Sequence, residues 1–125
     1  MYPKVMLIFQ DSVTRGLVEL ILRRHKFAVI NTMNLADAVD HLSDGDKPDV
    51  FIADSVIMAS SGMQIRKALQ MHPVGAHVPL IAVTAWNERE VADQGRQGDA
   101  DAILSLGNLH RLRETIFHVL EEYTY

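Results

Sequence analysis

Three polar residues each close a short apolar run. Asp11 follows Val5-Met6-Leu7-Ile8-Phe9 with Gln10 between, Asp54 follows Val50-Phe51-Ile52-Ala53, and Thr84 follows Leu80-Ile81-Ala82-Val83. Two carboxylates and a hydroxyl sharing one crevice suit a hard cation and a phosphoryl group, because Mg²⁺ takes oxygen ligands and phosphoryl transfer needs positioning and charge stabilisation. A fourth run, Ala102-Ile103-Leu104, leads into Ser105-Leu106-Gly107, where a phosphate site would want a cation and none stands.

Each of these residues also has a plainer reading. An Asp at a strand end caps the next helix as readily as it does chemistry, and Thr84 alone is an ordinary strand-end threonine. The combination of three in one crevice is what points to a site. Trp86, the only tryptophan, packs by default, although its place just beyond Thr84 makes it a useful reporter. His25, His41, His72, His77, His110 and His118 show no HxxxH spacing and read as surface or helix-face residues rather than metal ligands. Arg23-Arg24 reads as a solvated helix end.

The crevice needs a scaffold that brings strand ends together. Five runs, Lys4–Phe9, Ala28–Asn31, Val50–Asp54, Leu80–Thr84 and Ala102–Ser105, are continuously apolar in character, which signals strands covered on both faces. Helical patterns alternate with them. Val13, Leu17, Leu20 and Ile21 mark the expected inward stripe of the first, with Arg23, Arg24 and Lys26 in its last turn. Asn34 caps the second, which carries Leu35, Ala38, Val39 and Leu42 and ends by Gly45. The third starts at Ser61-Gly62-Met63-Gln64, carries Ile65, Ala68 and Leu69, and stops before Pro73. The fourth begins at Asn87-Glu88-Arg89-Glu90 and fades at Gly95, and the last runs from about Asn108 to Tyr123 with Leu109, Leu112, Ile116, Val119 and Leu120 inward. The alternation predicts an α/β fold, a doubly wound parallel sheet with helices on both faces. In such sheets ligands bind outside the carboxyl ends of the strands.

Bulk properties narrow the class. The 125 residues read as one domain, 1–125, with 48% hydrophobic and 22% charged residues, globular rather than disordered. Absence of Cys removes disulfides, thiolate catalysis and zinc–thiolate sites together. With 12 Lys+Arg against 16 Asp+Glu, direct nucleic-acid binding is not expected. No apolar run approaches the roughly 20 residues that span a membrane, and no basic-then-apolar leader opens the chain. The expectation is a cytoplasmic module without membrane contact.

The order and spacing of these motifs resemble the receiver domain of two-component response regulators over essentially the whole chain. Pro48-Asp49-Val50-Phe51-Ile52-Ala53-Asp54 resembles the family's run into its phosphoacceptor aspartate. Gly62 falls eight residues after Asp54 as the family's glycine does, Val83-Thr84-Ala85 matches the fourth-strand motif, and Ala100-Asp101-Ala102-Ile103-Leu104-Ser105 resembles the run before the family's lysine. The resemblance implies a flavodoxin-like five-stranded sheet in order 2-1-3-4-5 with five helices. It implies Asp54 as phosphoacceptor, Thr84 as phosphoryl contact and switch, and Mg²⁺ held by Asp11, Asp54 and the backbone carbonyl of Val56. A histidine kinase or phosphotransfer protein would be the donor. An output protein would read the face of the fourth helix, fifth strand and fifth helix.

The departures bear on function. Gln10 occupies the first position of the acidic pair, where it offers an amide oxygen or holds a metal-bound water but lacks the charge. A carboxylate about 4 Å from a divalent ion contributes roughly 2 kcal/mol even at water-like dielectric, so Mg²⁺ is expected to bind weakly, about tenfold or more below the family norm. Met58 and Ser61 replace a proline and an aspartate. Leu106-Gly107 replaces Lys-Pro; the other register puts Ser105 at the lysine position, but the distance from Thr84 favours Leu106, and no Lys follows Lys67. Ile103 stands where the family has a switching aromatic and has no polar tip.

Three readings of function follow. One is an atypical receiver, not an enzyme, that accepts phosphate on Asp54 in weakened form. The second is a phosphorylation-independent pseudo-receiver that binds a partner through a fixed surface, on the strength of Gln10, Ile103 and Leu106. The third, a flavodoxin-type small-molecule binder, is disfavoured because Asp11 and Asp54 would repel a flavin phosphate.

Overall fold

All five apolar runs become strands of one parallel sheet. In the computed structural model, which describes residues 3–54, 63–85 and 100–123, β1 (Lys4–Ile8), β2 (Ala28–Thr32), β3 (Val50–Asp54), β4 (Leu80–Thr84) and β5 (Ala102–Ser105) lie in the order β2-β1-β3-β4-β5. Each neighbouring pair is parallel. The helices are α1 (Ser12–Arg24), α2 (Leu35–Ser43), α3 (Met63–Met71) and α4 (Leu112–Tyr123), with a 3-10 segment over Leu106–Arg111. The helix expected at 87–95, and Ser61 and Gly62 at the expected start of the third, lie outside the described residues. The flavodoxin-like order 2-1-3-4-5 is as expected; the last helix starts later than expected, because the 3-10 turns occupy its first residues.

Alternate residues of the central strands feed two cores, as the two-residue pleat period requires. Val5, Leu7, Val50, Ile52, Ile81 and Val83 pack under α1 and α4, with Val18, Leu22, Leu112, Ile116 and Val119. Met6, Ile8, Phe51, Ala53, Leu80 and Ala82 pack under α2 and α3, with Ala38, Leu42 and Leu69. The central strands are therefore covered on both faces, which is why they read as unbroken apolar runs.

α1 departs from expectation. It buries Val18 and Leu22 and packs Ile21 against the core, while Val13, Leu17 and Leu20 are exposed. The helix carries two apolar stripes, and contact with β1 and the C-terminal helix selected the one centred on Val18 and Leu22 rather than the one centred on Leu17.

Helix ends follow local chemistry. Asn34 caps α2 by accepting the N–H of Asp37 at 2.8 Å, and Asp37 returns the bond to the N–H of Met33 at 3.1 Å. α1 and α2 then end in the same motif. Lys26 N–H bonds the Arg23 carbonyl and Phe27 N–H the Leu22 carbonyl; Gly45 N–H bonds Leu42 and Asp46 N–H bonds His41. Both are Schellman ends, whose residue after the cap needs a positive φ. Gly45 supplies it at 101°, but α1 uses Lys26 at 66°.

Candidate functional site

The register aligns the strand ends. Ile8 sits beside Ala53, Asp54 beside Val83, and Thr84 beside Ser105. Asp54 and Thr84 thus close adjacent strands at the carboxyl edge of the sheet, and Asp11 begins the loop-to-helix turn three residues after β1. Asp54 is half-buried and Thr84 is 1% exposed, whereas Gln10 and Asp11 are exposed. Val56, Met58 and Trp86 lie outside the described residues.

Asp11 is committed to structure as well as to the site. As N-cap of α1 it accepts the N–H of Val13 at 3.2 Å, the N–H of Thr14 at 3.3 Å and the Thr14 hydroxyl at 2.5 Å. The Thr14 hydroxyl, then the N–H groups of Val13 and Thr14, hold its carboxyl below the usual carboxylate range; the nearby Arg15 charge adds to this. Asp11 is therefore ionised over the neutral range. A carboxylate has about four acceptor positions, so three donors leave room for one further partner.

The structure also brings forward a residue that the sequence reading passed over. Arg15, half-buried, donates through Nη1 to the carbonyl of Phe9 at 3.2 Å. It puts a guanidinium at the end of β1, at i+4 from Asp11, a spacing that marks ion pairs on helices.

At the β5 end the two departures have structural explanations. Ile103 pairs with Ala82, two residues before Thr84, so it shares Thr84's face of the sheet, where it packs against the core under α2 and α3. Leu106 follows Ser105, the residue beside Thr84, which supports Leu106 over Ser105 as the position one step beyond the strand. It is partly buried and packs against the core under α1 and α4. The position where a phosphate site would keep a cation serves the hydrophobic core.

The residues that could hold a metal at this edge are Asp11 and Asp54, with Gln10 next to Asp11 in the chain. Among the described residues no group of three or more His, Cys, Asp or Glu could hold an ion. Mg²⁺ does not require such a group: it keeps several waters and takes one or two protein carboxylates. The hard oxygen donors present suit it, with one carboxylate fewer than an acidic pair plus acceptor would give.

Comparison with known proteins places this arrangement. A polar-differentiation response regulator, DivK, of Brucella anthropi is 29% identical over 104 residues, covering 82% of this chain and 84% of the relative. Its counterpart in Brucella ovis is 27% identical over 105 residues, covering 84% and 85%. The solved receiver domain of the sensor histidine kinase PA1611 of Pseudomonas aeruginosa, which has magnesium in its active-site cleft, superposes with a TM-score of 0.77 at 17% identity over 97% of this chain and 99% of that one. A response regulator from Desulfuromonas acetoxidans gives 0.76 at 22% identity over 96% and 98%. The family model of the response regulator receiver domain matches residues 5–116, spanning β1 to the middle of α4 and taking in Asp11, Asp54 and Thr84, and this chain belongs to that family.

Proposed function

We propose that this chain is an atypical receiver that accepts a phosphoryl group on Asp54 from a phosphohistidine donor. The observation that carries the reading is the register: Asp54 ends β3 beside β4, whose last residue is Thr84, and Asp11 begins the turn after the adjoining β1. A carboxylate oxygen of Asp54 would form the new O–P bond as the donor's N–P bond breaks. Bound Mg²⁺, held by Asp11 and Asp54 with the Val56 carbonyl, would neutralise charge on the phosphoryl oxygens. Thr84 would hydrogen-bond one of them. With Leu106 in the core, no lysine shares that charge, so transfer is slow by the standard of the family.

The named relatives are response regulators, which supports a role in phosphorelay signalling inside the cytoplasm, with a histidine kinase or phosphotransfer protein as donor and a protein as output. We take the chain to be a signalling module rather than an enzyme that turns over a substrate. The second reading, a pseudo-receiver that works without phosphate, is favoured by the packing of Ile103 and Leu106 into opposite cores, since neither can register a phosphoryl group by a polar exchange.

Incubation with a small phosphodonor and Mg²⁺ tests the choice. The proposal expects an acid-labile phosphate that disappears in Asp54→Asn. No label under saturating donor overturns it and leaves the pseudo-receiver. On either reading phosphorylation is expected to shift the output surface little, because a ligand shifts an equilibrium only through differential contacts and two of them are missing here.

A further inference from the structure

One flank of α4 carries a charge pattern that the fold does not use. Arg113, Phe117 and Glu121 form a single i, i+4 row, and all three are exposed. At 3.6 residues per turn they span about 80° of arc centred on Phe117, on the side away from the buried Leu112, Ile116 and Val119. Phe117 is 38% exposed, and its ring centroid lies 5.8 Å from that of Phe27, so this flank adjoins the end of α1. Arg113 lies over the Phe117 ring at 5.1 Å. Among the described residues neither Arg113 nor Glu121 has an ion-pair partner, whereas His118 and Glu122 pair at 3.2 Å.

The two charges cannot meet within one copy, because eight residues of helix, about 12 Å, separate them. They can meet between copies. A two-fold axis at the level of Phe117, perpendicular to the helix, lays a second α4 antiparallel to the first. Arg113 lies about 6 Å to one side of that level and Glu121 about 6 Å to the other, so each Arg113 comes level with the second copy's Glu121. The two Phe117 rings meet at the centre. In the commonest class of helix packing, i±4 rows interdigitate at a crossing of about −50°, which sets two such rows side by side. A groove for the second row is present, about 580 Å³, lined by Arg113, Phe117 and Glu121 and by Glu114 and His118 of the next row. Glu114 adds a like charge near the second copy's Glu121, and Arg111, which also lines the groove, offsets it. A two-fold interface requires self-complementarity of this kind.

We propose that this flank of α4 is a homodimer interface, in which Arg113 and Glu121 of two antiparallel copies pair on either side of Phe117. The pattern selects a second copy, because each charge finds its opposite at the position the two-fold axis relates to it. One helix flank buries well below the roughly 800 Å² per partner of a standard interface. The dimer is therefore weak, with a dissociation constant on the order of 10⁻⁴ to 10⁻³ M.

Sedimentation and amide-shift titration of the full chain, from about 20 µM to 2 mM, decide the matter. The expected result is a concentration-dependent dimer that weakens about threefold in 0.5 M salt, with shifts concentrated at residues 110–122. Arg113→Glu or Glu121→Arg turns two attractions into two repulsions and should weaken it by about tenfold. The two variants mixed in equal amounts, or the double variant Arg113→Glu with Glu121→Arg, should recover the wild-type affinity. Both residues are exposed, so circular dichroism melts close to wild type establish that the variants fold. A monomer throughout, including one whose α4 flank engages only a different protein, overturns the proposal. So does a dimer indifferent to the single reversals, or one that the double variant and the mixture fail to restore.

Discussion

The carboxylate of Asp11 accepts both the N–H and the hydroxyl of Thr14, so the acid that follows the first strand is also the cap of α1. Cap and site therefore share a side chain, and the two roles separate by substitution. Asp11→Asn keeps an acceptor for the N–H groups but removes the charge; it should melt near wild type and lose Mg²⁺ affinity about tenfold, the worth of one charge at close range. Asp11→Ala should lower both. Gln10→Asp should raise the affinity by a similar factor. Thermal melts and a Mg²⁺ titration followed by NMR measure the pair, and an unchanged affinity in Gln10→Asp would show that the missing carboxylate is not limiting.

Lys26 and Gly45 occupy the same place in two Schellman ends, with φ of 66° and 101°. Only glycine enters this region without a Cβ penalty of about 1 kcal/mol. Lys26→Gly should stabilise by up to about 1 kcal/mol, and Gly45→Ala should destabilise by about as much. Urea unfolding midpoints of the two variants should move in opposite directions.

Asp101 ties three segments together. One oxygen meets Arg66 of α3 at 3.0 Å and the other accepts the N–H of Leu80 at 2.8 Å, while its own N–H bonds the Leu80 carbonyl. The site is half-buried, so Asp101→Ala removes the acceptor of the Leu80 N–H and one partner of Arg66 and should cost about 2 kcal/mol. Arg66→Ala, which removes one partner at a wetter position, should cost less. Denaturant titration ranks them; equal costs would show that the β4 bond contributes nothing.

His41 gives a pH dependence with a definite sign. Its Nδ1 lies 2.8 Å from Asp46, and that bond, aided by Asp37, Asp46 and Asp44 charges against some desolvation, raises its pKa above the ordinary value. A raised folded pKa means stabilisation that is fully present below about pH 6.5 and lost as pH rises through the folded pKa. The difference in melting temperature between wild type and His41→Gln should therefore shrink from pH 5.5 to pH 8.5. A constant gap would rule the ion pair out.

Leu106→Lys restores the cation that the family uses but removes a side chain packed against the core under α1 and α4. It should destabilise by about 1–2 kcal/mol through lost apolar burial while speeding phosphate incorporation at Asp54. Unfolding and labelling measured on the same preparation test both halves. Unchanged stability would mean that Leu106 contributes little to the core.

Much of this molecule is legible in its residue order. Runs such as Val50–Ala53 declare doubly covered strands, Asn34 and Gly45 punctuate α2, and Asp54 and Thr84 stand at strand ends because each ends its run. Those features are local, set by pleat period, capping chemistry and φ preference. The side of α1 that meets the core was not legible, because Val13-Leu17-Leu20 and Val18-Ile21-Leu22 both satisfy a 3.6-residue period and only the sheet and α4 choose between them. Nor could the sequence join Arg66 to Asp101, 35 residues apart, or show that Asp11 spends three of its acceptor positions on α1. Spacing names the groups that can reach a sheet edge; packing decides which of them turn inward, as Leu106 does, and which stay at the edge.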